Sequence, residues 1–412
     1  MTNRWSIAIA GVLLQVALGA VYAWSVFRAP LTKQLGWSIS EVTLTFTISI
    51  FVLGIAAFFG GLWLNRMGPR VVALTGGFLY GTGVFLASFS AHKLWWLYLS
   101  YGVIGGVGLG FSYIVPVAVL VKWFPDRRGL ITGIAVGGFG AGALVTAPVA
   151  SRLIQSMGVL QTFAYLGVAF FIVTVAPVTS CKILPRVGSQ RAGRQPRRRP
   201  LSDQAEITRS GKHSEPGNGG PCGCFLNTSA GISIISQESP LFQELGRVSA
   251  VAAASIVGVV SIGNALGRVF WAWASDSITR RATFVVMFLA QIVLFWALPS
   301  INSPAVLTVV AFVILMCYGG GFGTMPAFAA DYFGSKNVGP IYGLMLTAWG
   351  FASAFGPLLI AYMRQVDGTY RGALHVIAGV MAVSIVLPLI VSPPRRIEAA
   401  VRSAQPRRLP AA

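Results

Sequence analysis

The residue with the clearest chemical potential in this chain is an arginine inside an apolar segment. Arg268 lies within Val251–Ala274, a Gly- and Ala-rich run long enough to cross a bilayer, since the hydrocarbon core takes about 20 apolar residues. A guanidinium keeps its charge there, so it must face water, a partner or a ligand, and such residues usually mark a substrate path. The sequence therefore predicts a site for an anion that enters and leaves.

Sequence alone leaves a second interpretation of Arg268 open. The segment contains no acidic residue, and the nearest one, Asp276, lies just beyond it, two helical turns after Arg268. In this alternative the arginine is a structural cation, held by helix carbonyls or by Asp276. The two interpretations differ in whether the guanidinium has a permanent partner.

Other apolar segments supply candidates for the walls of the same site. The aromatic candidates are Tyr22, Tyr113, Tyr318 and Trp349. Their hydroxyls and rings suit a small acid, with ordinary packing or lipid-facing aromatics as the alternative. Gln15 and Asn227 are polar candidates, with interhelical hydrogen bonding as the alternative. His375 is a candidate proton site because histidine titrates near neutrality, with a satisfied interfacial histidine as the alternative.

Composition places these residues in a polytopic membrane protein. The chain of 412 residues is 55% hydrophobic and 10% charged, whereas soluble domains are typically about 25% charged. Its net charge of +20 lies in short loops and tails, so we expect no nucleic-acid partner. The four cysteines show no metal or disulfide framework. We expect no cofactor, and no constellation of residues indicates an enzyme.

Twelve apolar segments are long enough to be membrane helices. They are 5–27, 42–64, 71–90, 95–121, 129–154, 160–183, 222–242, 248–274, 282–300, 304–330, 338–363 and 372–392. The first is too long for a signal-peptide core and lacks a clear small-residue cleavage site, so we interpret it as a helix. The predicted fold is an all-α membrane protein with twelve transmembrane helices.

Basic residues predict how these helices are oriented. On one side fall Arg66, Arg70, Lys122, Arg127, Arg128, the 182–220 segment, Arg280, Arg281, Arg395 and Arg396. The opposite loops carry fewer basic residues. Because cytoplasmic loops are enriched in Lys and Arg, both termini and the central loop are predicted to be cytoplasmic, with the protein in the inner (plasma) membrane.

An internal repeat divides the chain into two halves. At an offset of about 210 residues, Pro30-Leu31 returns as Pro240-Leu241, and Pro116 and Gly133 return as Pro326 and Gly343. Two parallel six-helix halves are one transporter architecture. We predict an N-terminal half over 1–183, a cytoplasmic basic linker over 184–220, a C-terminal half over 221–394 and a cytoplasmic tail over 395–412.

A short motif between predicted helices 2 and 3 carries a family resemblance. The stretch Gly61-x-Trp-Leu-Asn65-Arg66-x-Gly68-x-Arg70 resembles the signature loop of the major facilitator superfamily, with Asn65 where an Asp is common. The repeat copy keeps the acid, as Asp276 followed by Arg280-Arg281. A polar residue at one helix end and basic residues at the next can latch the cytoplasmic side. The predicted gating residues are Asn65, Arg66, Gly68, Arg70, Asp276 and Arg281.

Three further segments resemble the oxalate/formate antiporter family, which is close to the monocarboxylate transporters. They are Gly19-Ala-Val-Tyr22-Ala-Trp24-Ser-Val-Phe27, Lys122-Trp-Phe-Pro-Asp-Arg-Arg-Gly129 and Asn264-Ala-Leu-Gly-Arg268. The resemblance implies that Arg268 binds the substrate carboxylate. Asn264, one turn earlier on the same face, would hold the guanidinium or the substrate.

The charge of the predicted site narrows the substrate. That family's oxalate exchanger is understood to use a second cation, a Lys in helix 11, whereas Tyr342–Pro357 here contains no Lys, Arg or His. A second carboxylate would then lie uncompensated in low dielectric, at several kcal/mol. The chain is therefore predicted to be a monomeric transporter of a small monocarboxylate such as lactate or formate, coupled to protons or to anion exchange. An oxalate/formate exchanger is the alternative, and a multidrug exporter is disfavoured by the positive cavity.

Residues 187–224 differ from the rest of the chain. Arg191–Pro200 is rich in arginine, and Gly217–Cys224 places glycines and a proline where helix 7 should begin, a composition that opposes a helix. Another reading frame permits Gln-Trp-Trp-Ala-Leu-Trp-Val over Gly217–Cys224. One hypothesis is a compensated pair of frameshifts near residues 186 and 225, which would also leave room for an inactive transporter or a non-transporting sensor. The alternative is an ordinary basic loop.

Overall fold

The computed structural model of the protein describes residues 4–91, 93–124, 128–180, 219–278, 280–333 and 338–386. Within these ranges the regular structure is helical, with no strand. Twelve helical rods follow one another, six on each side of the central linker, so the predicted all-α, twelve-helix fold is confirmed. Residues 181–218, on which most of the frameshift hypothesis rests, lie outside the described part.

The first half contains α1 to α6, several of which are interrupted rods. Their bounds are α1 (Arg4–Leu18, a 3-10 turn Gly19–Ala23, then Trp24–Leu35), α2 (Ile39–Met67), α3 (Pro69–Leu86), α4 (Leu94–Leu97, a π segment Tyr98–Ile104, then Gly105–Trp123), α5 (Arg128–Gly140 and Ala143–Met157) and α6 (Val159–Ser180).

The second half contains α7 to α12. Their bounds are α7 (Gly219–Leu245), α8 (Ala250–Ile278), α9 (Arg280–Ala297), α10 (Pro304–Phe333), α11 (Val338–Asp367) and α12 (Arg371–Ser384). Among the described residues, nine rods contain a stretch long and apolar enough to cross a membrane, and α6 and α12 contain shorter apolar helices.

The remaining rod, α7, is polar and faces the protein interior. The polar side chains buried along it are Asn227, Thr228, Ser229, Ser233, Ser236, Gln237, Glu238 and Ser239. Because lipid cannot hydrogen-bond to such groups, a helix of this composition is stable in a membrane only when its neighbours surround it. Helices α1, α8, α10, α11 and α12 all pack against it.

Two of the differences from the predicted helix bounds involve a proline. Helix α1 was predicted to end at Phe27 but continues to Leu35, with Pro30 inside it, and the burial of Leu31 in the core helps to offset the backbone hydrogen bond that proline forgoes. Helix α7 begins at Gly219, three residues before its predicted start, and includes Pro221. Proline is tolerated there because the first-turn N–H groups have no acceptor within the helix.

Glycine stripes bring α8 and α10 into backbone contact. Gly263 and Gly267 on α8 face the backbone of Phe312 and Met316, and Gly319 and Gly323 on α10 face the carbonyls of Asn264 and Arg268. Each pair of glycines is spaced i, i+4, which is the spacing that lets membrane helices approach closely. This contact positions the backbone of the two residues that the sequence placed at the anion site.

The two halves meet along α2 with α11 and along α5 with α8. A Cβ at Gly140 of α5 would lie 3.0 Å from the Ala265 nitrogen and 3.1 Å from the Arg268 Nε. The absence of a side chain at Gly140 therefore allows α5 of one half to approach the arginine carried by the other.

Hydrogen bonds close the halves together at the end where α7 and α11 finish, which we call the Glu244 end. The Gln237 amide donates to Thr43 Oγ1 at 2.8 Å, and the Ser40 hydroxyl donates to Gln365 Oε1 at 2.9 Å. Both bonds join α2 to the second half. The loop between α2 and α3 lies at the other end of the rods, the Gly68 end.

A second set of contacts at the Glu244 end lies within the second half. Arg364 Nε lies 2.7 Å from Glu244 Oε2, and the Tyr370 hydroxyl donates to Gln237 Oε1 at 3.2 Å. Burial raises the pKa of Tyr370, so its phenol remains a protonated donor. Gln237 is thus held from both halves.

We predict that Gly323→Ala destabilises the protein, because the new Cβ would overlap the Arg268 carbonyl oxygen. Overpacking of this kind typically costs about 1–3 kcal/mol. The matched control is Gly379→Ala on α12, where no atom lies within 4 Å of the new Cβ and the gain in helix propensity is expected to leave stability unchanged or higher. Thermal unfolding of the purified proteins in detergent measures both; equal transition temperatures would contradict the prediction.

Candidate functional site

Arg268 lies at the centre of the molecule, with part of its guanidinium unbonded. Its side chain is 0% exposed, and Nε donates to Asn264 Oδ1 at 3.3 Å. Within the described ranges, Nη1 and Nη2 have no hydrogen-bond partner, and no carboxylate lies within ion-pair distance of the residue. Because a buried polar group without a partner costs free energy, two terminal nitrogens in this state indicate a place for a ligand or water.

Aromatic rings enclose the guanidinium. Its Cζ lies 4.9 Å from the centroid of Phe322 on α10 and 5.9 Å from that of Phe139 on α5. Such ring faces attract a cation and limit access of water without supplying a countercharge. They stabilise the guanidinium only in part, and an anion would supply the countercharge.

Two pairs of tyrosine hydroxyls cross from one half to the other at this site. The Tyr22 and Tyr318 oxygens are 3.1 Å apart, and those of Tyr113 and Tyr342 are 3.3 Å apart. All four phenols interact electrostatically with Arg268. Since a phenol both donates and accepts, these pairs can exchange their mutual bonds for bonds to a ligand oxygen.

Trp349 completes the aromatic wall from α11. Its ring centroid lies 5.1 Å from Phe322, 6.2 Å from Phe139 and 6.2 Å from Tyr113. The ring is buried and packs on residues from both halves. The structure therefore brings together Arg268, Asn264, Tyr22, Tyr113, Tyr318 and Trp349.

Three aromatic residues of this site were not predicted from the sequence, namely Phe139, Phe322 and Tyr342. Phe139 lies between Gly138 and Gly140 in a glycine-rich segment, for which no site residue was predicted. Phe322 follows Tyr318 by one helical turn, so the spacing was a usable signal. Tyr342 is the first residue of the charge-free stretch of α11, and no feature of the sequence marked it as a site residue.

The two polar candidates, Gln15 and Asn227, differ in their contacts. The Gln15 amide donates to the Tyr113 carbonyl oxygen at 3.1 Å, which is the interhelical bond foreseen as its alternative role. Asn227 on α7 is buried, and neither atom of its amide has a hydrogen-bond partner in the described part of the chain. A Cβ at Gly321 on α10 would collide with that amide, so Asn227 packs against the helix that carries Tyr318 and Phe322.

His375 contacts a residue outside this aromatic site. Its ring stacks on Trp296 of α9, with centroids 4.6 Å apart, and the Trp296 side chain is 63% exposed. The histidine itself is half-buried. This placement matches the alternative of an interfacial histidine, and the site described here does not include it.

The predicted gating residues lie at or near the Gly68 end. Gly68 follows α2 with φ 84° and donates its N–H to the Leu64 carbonyl at 3.0 Å, a positive φ that favours glycine. Arg66 and Arg70 are exposed there. The side chains of Asn65, Asp276 and Arg281 lie outside the described part of the structure, so their role as a latch stays a prediction.

Buried charge is sparse, which makes the site electrostatically simple. Among the described residues, the buried charged side chains are Arg28, Glu238 and Arg268, and Tyr342–Pro357 of α11 adds no cation. The arrangement can therefore hold a small anion by one guanidinium and several phenol hydroxyls.

Comparison with known proteins gives one family and several relatives. The profile of the Major Facilitator Superfamily matches residues 7–213 and 220–411. The uncharacterized MFS-type transporter YhjX of Escherichia coli (strain K12) is 29% identical over 85% of this chain and 86% of its own length. The oxalate:formate antiporter of Oxalobacter formigenes is 28% identical, over 86% and 83%. Monocarboxylate transporter 13 of Rattus norvegicus is 25% identical, over 88% and 82%.

We predict that Asn264→Asp makes the protein more stable but a poorer binder of anions. The new carboxylate would lie where Asn264 Oδ1 is now, 3.3 Å from Arg268 Nε, and an opposite charge at this distance would neutralise the guanidinium. Thermal unfolding with and without formate measures both effects: a higher transition temperature and a smaller shift on adding formate than the original protein shows. An unchanged formate-induced shift would contradict the prediction.

Proposed function

Because the chain belongs to the Major Facilitator Superfamily, we propose that it is a secondary transporter of small carboxylate anions. The observation that carries this proposal is the fully buried guanidinium of Arg268, whose Nη1 and Nη2 have no partner among the described residues. A guanidinium presents a planar fork of N–H donors that matches the two oxygens of a carboxylate. The names of two relatives, an oxalate:formate antiporter and a monocarboxylate transporter, support the same substrate class.

We propose a monocarboxylate such as formate or lactate as the substrate. One buried cation balances one carboxylate, and a second carboxylate would carry uncompensated charge into the interior at several kcal/mol. The site's remaining polar contacts are the hydroxyls of Tyr22, Tyr113, Tyr318 and Tyr342, which suit a single small anion. These contacts are compatible with transport coupled to protons and with exchange against a second anion.

Alternating access follows from where the site lies. Arg268 belongs to the second half and Tyr22, Tyr113 and Phe139 to the first, so binding draws on both halves. The halves are joined at the Glu244 end by the bonds of Gln237 and Ser40. Rocking of one half against the other about a fixed central site is the transport mode of this architecture.

We propose that the Gly68 end faces the cytoplasm and that the protein lies in the inner (plasma) membrane. The basic residues Arg66, Arg70, Arg280 and Arg281 lie at the helix ends beside the loops of that end, and the cytoplasmic side is enriched in Lys and Arg. The Glu244 end is then the outer end, and the structure is closed there by hydrogen bonds.

We predict that Arg268→Ala abolishes uptake of labelled formate and lactate into proteoliposomes, and that Arg268→Lys retains little. Lysine keeps the charge but lacks the fork, and losing one charged hydrogen bond costs about 1.5–3 kcal/mol, or ~10- to 150-fold in affinity. Arg152→Ala, at an exposed arginine of α5, is the control and should transport normally. Normal uptake by a correctly inserted Arg268→Ala would end the proposal.

We predict that formate, acetate and lactate compete for uptake and that oxalate competes weakly. The reason is the single cation of the site, since Tyr342–Pro357 provides no second one. The measurement is inhibition of labelled substrate uptake at neutral pH. Inhibition by oxalate at lower concentration than by every monocarboxylate would favour a dianion site instead.

A further inference from the structure

A carboxyl group on α7 is buried without a charged partner. Glu238 is 2% exposed, and its Oε1 has no hydrogen-bond partner among the residues that the structure describes. The ion pair recorded among the described acidic residues is Glu244 with Arg364, so Glu238 forms none within that part of the chain. A lone carboxylate in such surroundings costs far more free energy than a neutral carboxylic acid.

The polar residues around Glu238 on the same helix differ from it in having partners. Ser233 donates to the Ser229 carbonyl at 2.6 Å, and Ser236 donates to the Ser233 carbonyl at 2.8 Å. Gln237 is bonded through both ends of its amide. Glu238 alone among these brings an ionisable group, and helix packing does not require it.

Ionisable groups on neighbouring helices do not neutralise this carboxyl. In the outer part, those that are buried or half-buried on elements packed against α7 are Arg28 on α1, Arg364 on α11, Tyr370 before α12 and His375 on α12; further in lie Tyr22, Arg268, Cys317, Tyr318 and Tyr342. Arg28 interacts electrostatically with Tyr370 and Glu244, and Arg364 pairs with Glu244. Tyr370 donates to Gln237, and His375 packs against Trp296. Of the inner groups, Tyr22 bonds to Tyr318, Tyr342 to Tyr113 and Arg268 to Asn264.

The position of Glu238 along α7 links the hydrogen bonds that close the outer end with the site around Arg268. It follows Gln237, whose amide joins the halves through Thr43 at 2.8 Å. It also lies seven residues, or two turns, after Gly231, which packs against the Tyr318 ring, so it occupies the same stripe of α7 about 10 Å nearer the outer end. The carboxyl therefore lies at the level of the Gln237 contact between the halves, outward of the anion site.

We propose that Glu238 is a proton-binding site and that the outer end closes only when its carboxyl is protonated. This inference rests on the alternating access proposed above. When the halves part, Glu238 meets water and releases or takes up a proton from the outside; when they close, the carboxylate would be buried alone. The closed state therefore binds more protons than the open state.

The direction of the pH effect follows from this difference. Stability of a state that binds an extra proton is gained as pH falls and lost as pH rises. Low external pH favours the closed outer end, and high external pH favours the open one. For a single group, the ratio of open to closed molecules changes up to tenfold for each pH unit within the titration range.

The test measures the separation of the outer ends directly, without substrate. Spin labels are placed at Gln34→Cys on α1 and Asp367→Cys on α11, both exposed positions, with Cys181, Cys222, Cys224 and Cys317 replaced by alanine. Label distances are recorded in nanodiscs from about pH 5 to about pH 9, a range that brackets a titrating carboxyl with room for a shift. We expect the fraction of molecules with the larger label separation to increase with pH.

Variants test whether Glu238 is the group responsible for that pH response. Glu238→Gln should keep the shorter distance at every pH, and Glu238→Ser should do the same if the longer amide fails to fold. Glu41→Gln, an exposed carboxylate that caps α2, makes the same chemical change elsewhere and should follow the original protein. A distance that does not vary with pH in the original protein, or that varies equally in a folded Glu238 variant, would overturn the proposal.

A transport measurement separates this proposal from the proposed function. Uptake of labelled formate should depend on external pH in the original protein and lose that dependence in Glu238→Gln. If no carboxylate is taken up at all, the proposed function fails while the label distances still decide the role of Glu238. If uptake is normal and its pH dependence survives in Glu238→Gln, the role of Glu238 fails while the function stands.

Discussion

The charge of Arg268 is the constraint on which the rest of the site depends. A guanidinium that is 0% exposed and, among the described residues, hydrogen-bonded through Nε alone is costly in a low-dielectric interior. Its surroundings reduce that cost with ring faces and phenol hydroxyls, without supplying an acid from the described residues. The site is therefore stable enough to fold and still electrostatically incomplete, which is what a reversible anion site requires.

Helix packing holds Arg268 firmly within the second half, whereas its contacts with the first half can be broken. The glycines of α8 and α10 bring their backbones into contact at Asn264 and Arg268, so the cation is fixed within the second half. Its counterparts Tyr22 and Tyr113 reach it from the first half through single hydroxyl contacts. Such contacts are worth about 0.5–1.5 kcal/mol each, little enough to be exchanged when the halves move.

Helix α7, which carries many buried polar residues, also combines contacts within one half with a contact between the halves. The hydroxyls of Ser233 and Ser236 bond to their own helix, Gln237 joins the halves, and Glu238 Oε1 has no partner among the described residues. A helix that carried only apolar residues would pack as well but would leave the closure of the outer end insensitive to its surroundings. Polar groups here determine when the halves stay together.

The sequence alone predicted the twelve-helix fold and singled out Arg268 as a charge in the interior, because bilayer thickness sets segment length and a charge in such a segment is costly wherever the segment packs. It also brought forward Tyr22, Tyr113, Tyr318 and Trp349 as candidates. It did not identify Phe139 and Phe322, nor the pairing of hydroxyls across the halves, and it ended α1 too early at Phe27. Those features depend on how each helix is rotated and how closely its neighbours approach, and only the packed structure decides which faces of distant helices meet.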